Sequence, residues 1–513
     1  MKRYINYTII AGMTLLMWSC ADDHTEAGGK PISEITIDGS SIQEEYNLNK
    51  NEVLVINPVV TQSIQGKELS YEWEIEHEIY SNAKELNYTC SSLGTYHCRL
   101  IVSNEDGKSF FPFVLNVNTP YEEGITIISH SDTGESMLSF MLHNLDGTED
   151  SFYSGDMFRL NNPEVPFASN VSDMLITNGA LVLACQGNGT ASDPASIYYL
   201  NAKTLDIENF VNMPEFPDFK PVKMMVTVVS QPGAAYPVLS EDGKIYEFAS
   251  TEGTVVNSTK FPSTYSTTGY SFYDGGTGNN FNIYFWDTEL GIPVTMDRNS
   301  VFYCIDDYSM ATSRANVTSY NNIFAAGGDD IIAIFVPQFT SIQLLRGNPD
   351  VYFITESGGV LRRTVFDKNI WVYNSNTGRN VFETKQRFNS VGMEEEVPFK
   401  PGLPMIASNT NKMLFYGYGN KLYMWPYEQN SLNYATVLTE LGTPTTEITA
   451  ISLSSDQKTL YVASYDPAKS GLNGSCHLVQ VQKSSTTDDV TVGDIKNYEN
   501  VCYKPMKIMY KAK

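Results

Sequence analysis

The sequence lacks any convincing long helical pattern beyond residue 30. Apolar residues do not recur there at the three-to-four-residue spacing of an amphipathic helix. Basic residues are also scarce, with 34 Lys and Arg set against 59 Asp and Glu, for a formal net charge of −25. No basic stripe stands out, so the electrostatic footprint of nucleic-acid binding is missing. A direct grip on anionic lipid is equally disfavoured. Histidine occurs six times, at positions 24, 77, 97, 130, 143 and 477, and never in HExxH or another metal-ligand spacing. No GxSxG nucleophile elbow is present. Asp274 to Asn280 is Gly-rich, but no helix follows to offer amide donors to a phosphate. The seven cysteines form no CxxC zinc site. No catalytic, metal or cofactor assignment follows from these motifs. Carboxylates are abundant, so a glycosidase pair stays open. Asp287, Asp306, Asp307, Asp329 and Asp330 lie near strand ends or Gly-rich turns, and Asp146 to Asp150 has oxygens for a calcium loop without the EF-hand order.

What is there begins at the N-terminus. Lys2 and Arg3 precede an apolar run from Tyr4 to Trp18. That is the layout of a secretory signal, and the run falls short of the roughly 20 residues of a spanning helix. Ser19-Cys20 then resembles the lipobox of bacterial lipoproteins, although Met17 and Trp18 depart from its usual Leu and small residue. The resemblance implies that residues 1–19 are removed and that Cys20 carries the lipid. Ala21-Asp22-Asp23, with Glu26, resembles the acidic export tag of Bacteroidetes lipoproteins. It implies display on the outer face of the outer membrane. Residues 20–30 are polar and Gly-rich and read as a flexible tether.

Residues 31–119 read as short alternating strands. Tyr71, Trp73 and Ile75 fall on one face of a strand and Glu72 and Glu74 on the other, and Gly94 to Leu100 alternates likewise. Asn104 to Gly107 supplies a turn, and several such strands suggest a sandwich. YEWEI followed by GTYHCRLIVSNEDGKS resembles the PKD domain, an immunoglobulin-like sandwich. The resemblance makes Trp73 a core residue and Tyr96 a corner tyrosine. Glu76-His77-Glu78 replaces the family's GDG turn. A spacer role is implied.

Residues 120–513 carry strand signals throughout. Ala180 to Ala184, Ile197 to Leu200 and Ile283 to Trp286 are examples, and Ser454 to Ala463 joins a polar turn to an apolar strand. Pairs recur about every 45–60 residues, against roughly 40–50 for a four-stranded blade. A β-propeller is expected, with seven blades fitting best. Six or eight blades, or two large sandwiches, stay open. The whole layout resembles the PKD-like family lipoproteins of Bacteroidetes, which are similar to accessory partners of starch-utilisation-type (SusC/SusD) importers. This implies a nutrient-capturing or importer-docking protein with no catalysis of its own.

The ligand stays undecided between oligosaccharide and oligopeptide, with a siderophore-like molecule further off. Aromatic faces at strand ends stack on such ligands while acids fix polar groups. Trp286 with Asp287, Trp371 and Trp425 are therefore the candidate ligand-binding residues, against the plain alternative that each packs between sheets. A surface glycosidase or lyase, and a scaffold without a ligand, are the rival readings. The cysteine spacings match no tight disulfide framework; pairing of Cys90 with Cys98 or of Cys476 with Cys502 stays open, with free buried thiols as the plain alternative.

Overall fold

The computed structural model describes residues 31–143, 150–177, 179–225, 235–249, 252–272, 283–297, 300–304, 310–311, 330–340, 350–358, 360–374, 379–391, 398–429, 434–485, 487 and 489–512. Cys20, Asp22 and Asp23 lie outside the described residues, as do Asp306, Asp307, Asp329, most of the 146–150 loop and the 274–280 stretch. The chain divides into two compact units, Met1–Thr119 and Pro120–Lys513.

In the first unit a five-stranded sheet runs in the order Glu45–Asn49, Gly107–Asn118, Gly94–Asn104, Ser70–Ile75, Glu78–Ser81. The first two strands pair in parallel. Two short strand pairs close the other side, and Leu54, Ile56 and Leu86 from them share one core with Trp73, Leu100, Phe113 and Leu115. Alternation dictates this: in Val53–Ile56 only Leu54 and Ile56 are buried. Trp73 is fully buried and donates its indole N–H to the Ala83 carbonyl at 3.0 Å. Tyr96 is half-buried, and its hydroxyl donates to the Ser92 carbonyl at 2.8 Å. Glu76 and His77 both take positive φ, 49° and 70°, as a tight two-residue hairpin turn requires. The Glu76 carboxylate holds that turn by accepting from the His97 N–H at 2.5 Å.

The second unit is a succession of seven antiparallel sheets among the described residues, four-stranded except for one of five. Sheet I combines strands of 124–152 with the C-terminal strand Lys504–Lys511, which pairs with Gly124–His130. Sheets II to VII follow in chain order over 171–212, 221–257, 265–311, 330–391, 405–440 and 447–502. Strands such as Ala180–Cys185 are buried at every position. Both faces are covered, so the sequence reads as an unbroken apolar run. Leu181 and Leu183 pack toward sheet I, and Val182 and Ala184 toward sheet III. Further clusters join III to IV, V to VI and VI to VII, and another joins VII back to I. Tyr284 of IV meets Phe353 of V edge-on, with ring centroids 6.1 Å apart. Each sheet thus lies between two others in a propeller-like arrangement.

The thiols take the plain alternative. Cys90, Cys98, Cys185, Cys476 and Cys502 are free and buried, so neither of the two pairings left open is formed. Burial pushes the Cys98 thiol up to about 12.

Candidate functional site: a charged cluster on the inner strands

The residues expected at a ligand surface are mostly interior. Trp286 and Trp425 are 3% and 0% exposed. Trp425 packs against Phe399 and Ala407 in the core between sheets V and VI. Asp287 is fully buried, and its Oδ1 accepts from the Ser263 hydroxyl at 2.7 Å and the Leu290 N–H at 2.9 Å, which fixes a turn. These three therefore offer no open face to a ligand. A strand end looks exposed in sequence, but the neighbouring sheet covers it. Trp371 pairs through its backbone with Phe382, and its side chain lies outside the described residues.

Sequence reasoning missed a different group. The stretches Lys220-Pro221-Val222-Lys223-Met224-Met225 and Lys504-Pro505-Met506-Lys507-Ile508-Met509 share a K-P-x-K-x-M pattern. They contain Pro221–Met224, the first strand of sheet III, and most of Lys504–Lys511, the C-terminal edge strand of sheet I. Both lie against Val171–Thr177, the first strand of sheet II. In each stretch the register shifts just before the second lysine, opposite Leu239 and Ile128 respectively. The first strand of sheet II shifts in the same way just before Asp173. A bulge of this kind re-aims the side chain that follows it. The corresponding positions in sheets V and VII, also just past a shift, are Ala333 and Ala450.

The three charged residues converge. Lys507 Nζ donates to Asp173 Oδ1 at 2.7 Å, and Lys223 Nζ approaches the same oxygen at 3.5 Å. Asp173 Oδ2 accepts from the Met224 N–H at 2.7 Å, and Lys507 also donates to the Met174 carbonyl at 2.5 Å. The Lys223 ammonium lies 5.8 Å from the ring centre of Tyr270 on the first strand of sheet IV. Asp173 is 3% exposed, while the lysine side chains keep 16% and 20%. The carboxylate is sealed, and the exposure the cluster keeps lies on the two lysine side chains.

One carboxylate therefore serves two ammonium groups. Burial lowers the Lys507 ammonium to about 7, and the charge of Lys223 adds to the effect against the pull of Asp173. Burial also opposes the charge of Lys223, but Asp173 and Tyr270 outweigh it and hold that pKa above the usual lysine value. Lys507 is nearer to Asp173 than Lys223 is, yet it is the one that is lowered. The property belongs to the pair, which holds one proton firmly and a second loosely.

Other polar groups are structural. Ser464, His477 and Asn497 form a chain of 2.8 and 2.6 Å, spaced like a nucleophile, base and orienter. Ser464 is 1% and His477 3% exposed, so no substrate reaches the hydroxyl. A surface cleft between 161–165 and 207–210 carries Glu164 and Glu208, both exposed. A general acid needs a carboxyl sheltered enough to stay protonated. Among the described residues no group of three or more His, Cys, Asp or Glu is placed to hold a metal ion.

No family model matches the chain, and no curated protein matches it. Solved structures do. A quinonprotein alcohol dehydrogenase-like protein from Bacteroides thetaiotaomicron is 13% identical with a TM-score of 0.45, covering 94% of this chain and 100% of that one. The periplasmic gluconolactonase of Pseudomonas aeruginosa is 12% identical with a TM-score of 0.43, covering 76% and 98%. A DUF4784 family protein from Bacteroides caccae is 7% identical with a TM-score of 0.30, covering 94% and 100%.

Proposed function

We propose that this chain is a non-catalytic surface lipoprotein of the bacterial outer membrane. Lipid on Cys20 anchors it, Asp22 and Asp23 direct it outward, a PKD-like sandwich spaces it from the membrane, and a seven-bladed propeller binds a nutrient or docks on a SusC/SusD-type importer. The observation that carries the binding reading is the cluster of Asp173, Lys223 and Lys507. It gathers charge from three sheets at one place, with no carboxylate pair of the kind a glycosidase uses. Two amines drawn together by one fixed carboxylate are suited to recognising the polar groups of a ligand. The seven sheets in series and the return of the C-terminal strand to sheet I support the blade count. The basic start, the apolar run and Ser19-Cys20 support the anchor.

Two experiments test this. Cys20→Ala should release the protein from the membrane fraction, and retention at high salt would end the anchor reading. A screen of oligosaccharides and oligopeptides against the mature protein should give binding without product. Turnover that one Asp or Glu change abolishes would replace it with a surface glycosidase or lyase. A protein that binds no ligand but co-purifies with an importer would be a scaffold.

A further inference from the structure

If the propeller binds a ligand, as proposed above, the structure also indicates which chemistry that ligand carries. With Lys507 protonated, Asp173, Lys223 and Lys507 sum to one surplus positive charge. A surplus charge at a mostly buried site is costly unless something compensates it. Among the described residues, the groups that act most strongly on the two amines are Asp173, Tyr270 and each other. An anion arriving from the side where the lysine side chains keep their exposure would supply the missing negative charge and keep both amines charged. We propose that a carboxylate of the ligand binds at the open side of Lys223 and Lys507, opposite Asp173. Asp173 is the positioning residue: it draws both amines together, and the Met224 N–H and the bulge before it fix it in place. The lysines are the recognition residues. An acidic sugar and a peptide C-terminus offer the same carboxylate, so the test must separate them.

The site also makes binding depend on pH. An incoming carboxylate favours the charged form of Lys507, whose ammonium is otherwise lowered to about 7. Below that pH the site is ready. Above it, each ligand must bring one proton, and affinity should fall about tenfold per pH unit.

The test is calorimetry on the mature protein at pH 6 and pH 8, in buffers of different ionisation enthalpy. The acidic probes are a uronic-acid disaccharide and triglycine. Their neutral counterparts are the unoxidised disaccharide and triglycine amide. One acidic probe should bind, its neutral counterpart should bind at least tenfold more weakly, and proton uptake near one should appear at pH 8 only. The acid that binds identifies the source. Lys507→Met should abolish binding. Lys507→Arg, which keeps the charge at all these pH values, should retain binding and lose the pH dependence. Melting curves check that both variants fold. If a neutral ligand binds this propeller and the acids do not, the carboxylate inference falls and the binding reading stands. If acids bind equally well to wild type and Lys507→Met, the site lies elsewhere and the inference falls. If nothing binds, both fall.

Discussion

At the scale of single residues, position in a covered sheet outweighs residue type. Trp425 ends its strand before Pro426, which in sequence resembles an exposed rim. The structure seals it against Phe399 instead. Trp425→Ala should therefore cost roughly 3–5 kcal/mol of stability, as buried aromatic truncations do, and denaturant titration measures it. A second expectation concerns charge. Lys507 has a depressed pKa when folded, about 7, against the ordinary lysine value when unfolded. Between these values the unfolded chain binds more protons, so this group makes stability rise with pH from about 7 toward 10.5. In ligand-free protein, Lys507→Met should flatten that rise, as melting at stepped pH would show. Thiols give a third expectation. With Cys90, Cys98, Cys185, Cys476 and Cys502 buried and Cys98 raised to about 12, alkylating reagents at pH 8 should label none of these five until the protein unfolds. What the sequence alone could not reveal was contact. The lysines of the K-P-x-K-x-M pairs are visible in it, but Asp173 sits in an unremarkable strand, and only the fold brings the three together.

At the scale of elements, strands were the legible part. Ala180–Cys185 and Thr459–Tyr465 were readable because both faces of each are buried, which leaves a run of apolar letters. Outer strands were harder: Ile207–Asn212 alternates between half-buried and exposed positions and resembles a loop. Some turns do more than connect. Ser454 to Lys458 was legible as a polar turn, but its Gln457 is 2% exposed and has three partners outside the turn. Its Oε1 accepts from the Ser408 hydroxyl at 2.7 Å and the Thr410 N–H at 2.9 Å, and its Nε2 donates to the Gln338 carbonyl at 2.7 Å. One side chain of this turn thus ties sheet VI to the segment after the first strand of sheet V. Gln457→Ala should remove all three of these bonds and cost about 1–3 kcal/mol. Guanidinium titration of the variant would measure it, and an unchanged midpoint would make the tie incidental.

At the scale of the molecule, the two units carry separate cores. A chain of residues 120–513 alone should unfold in one cooperative transition, and aggregation or a broad melt would show that the boundary is misplaced. Removing residues 504–513 should have a larger effect than its length suggests. It takes away the strand that pairs with Gly124–His130, the Ile508 packed between sheets VII and I, and Lys507. The shortened chain should lose cooperative melting altogether, measured by circular dichroism.

That last strand also sets the order of events when the chain is made. The N-terminal part emerges from the ribosome first, yet Gly124–His130 must wait some 380 residues for its partner. So large a sequence separation slows folding and leaves an unpaired edge open to other chains meanwhile. Until the last ten residues are delivered, the ring has no way to close. Any cell that makes this protein must keep that edge from aggregating until then.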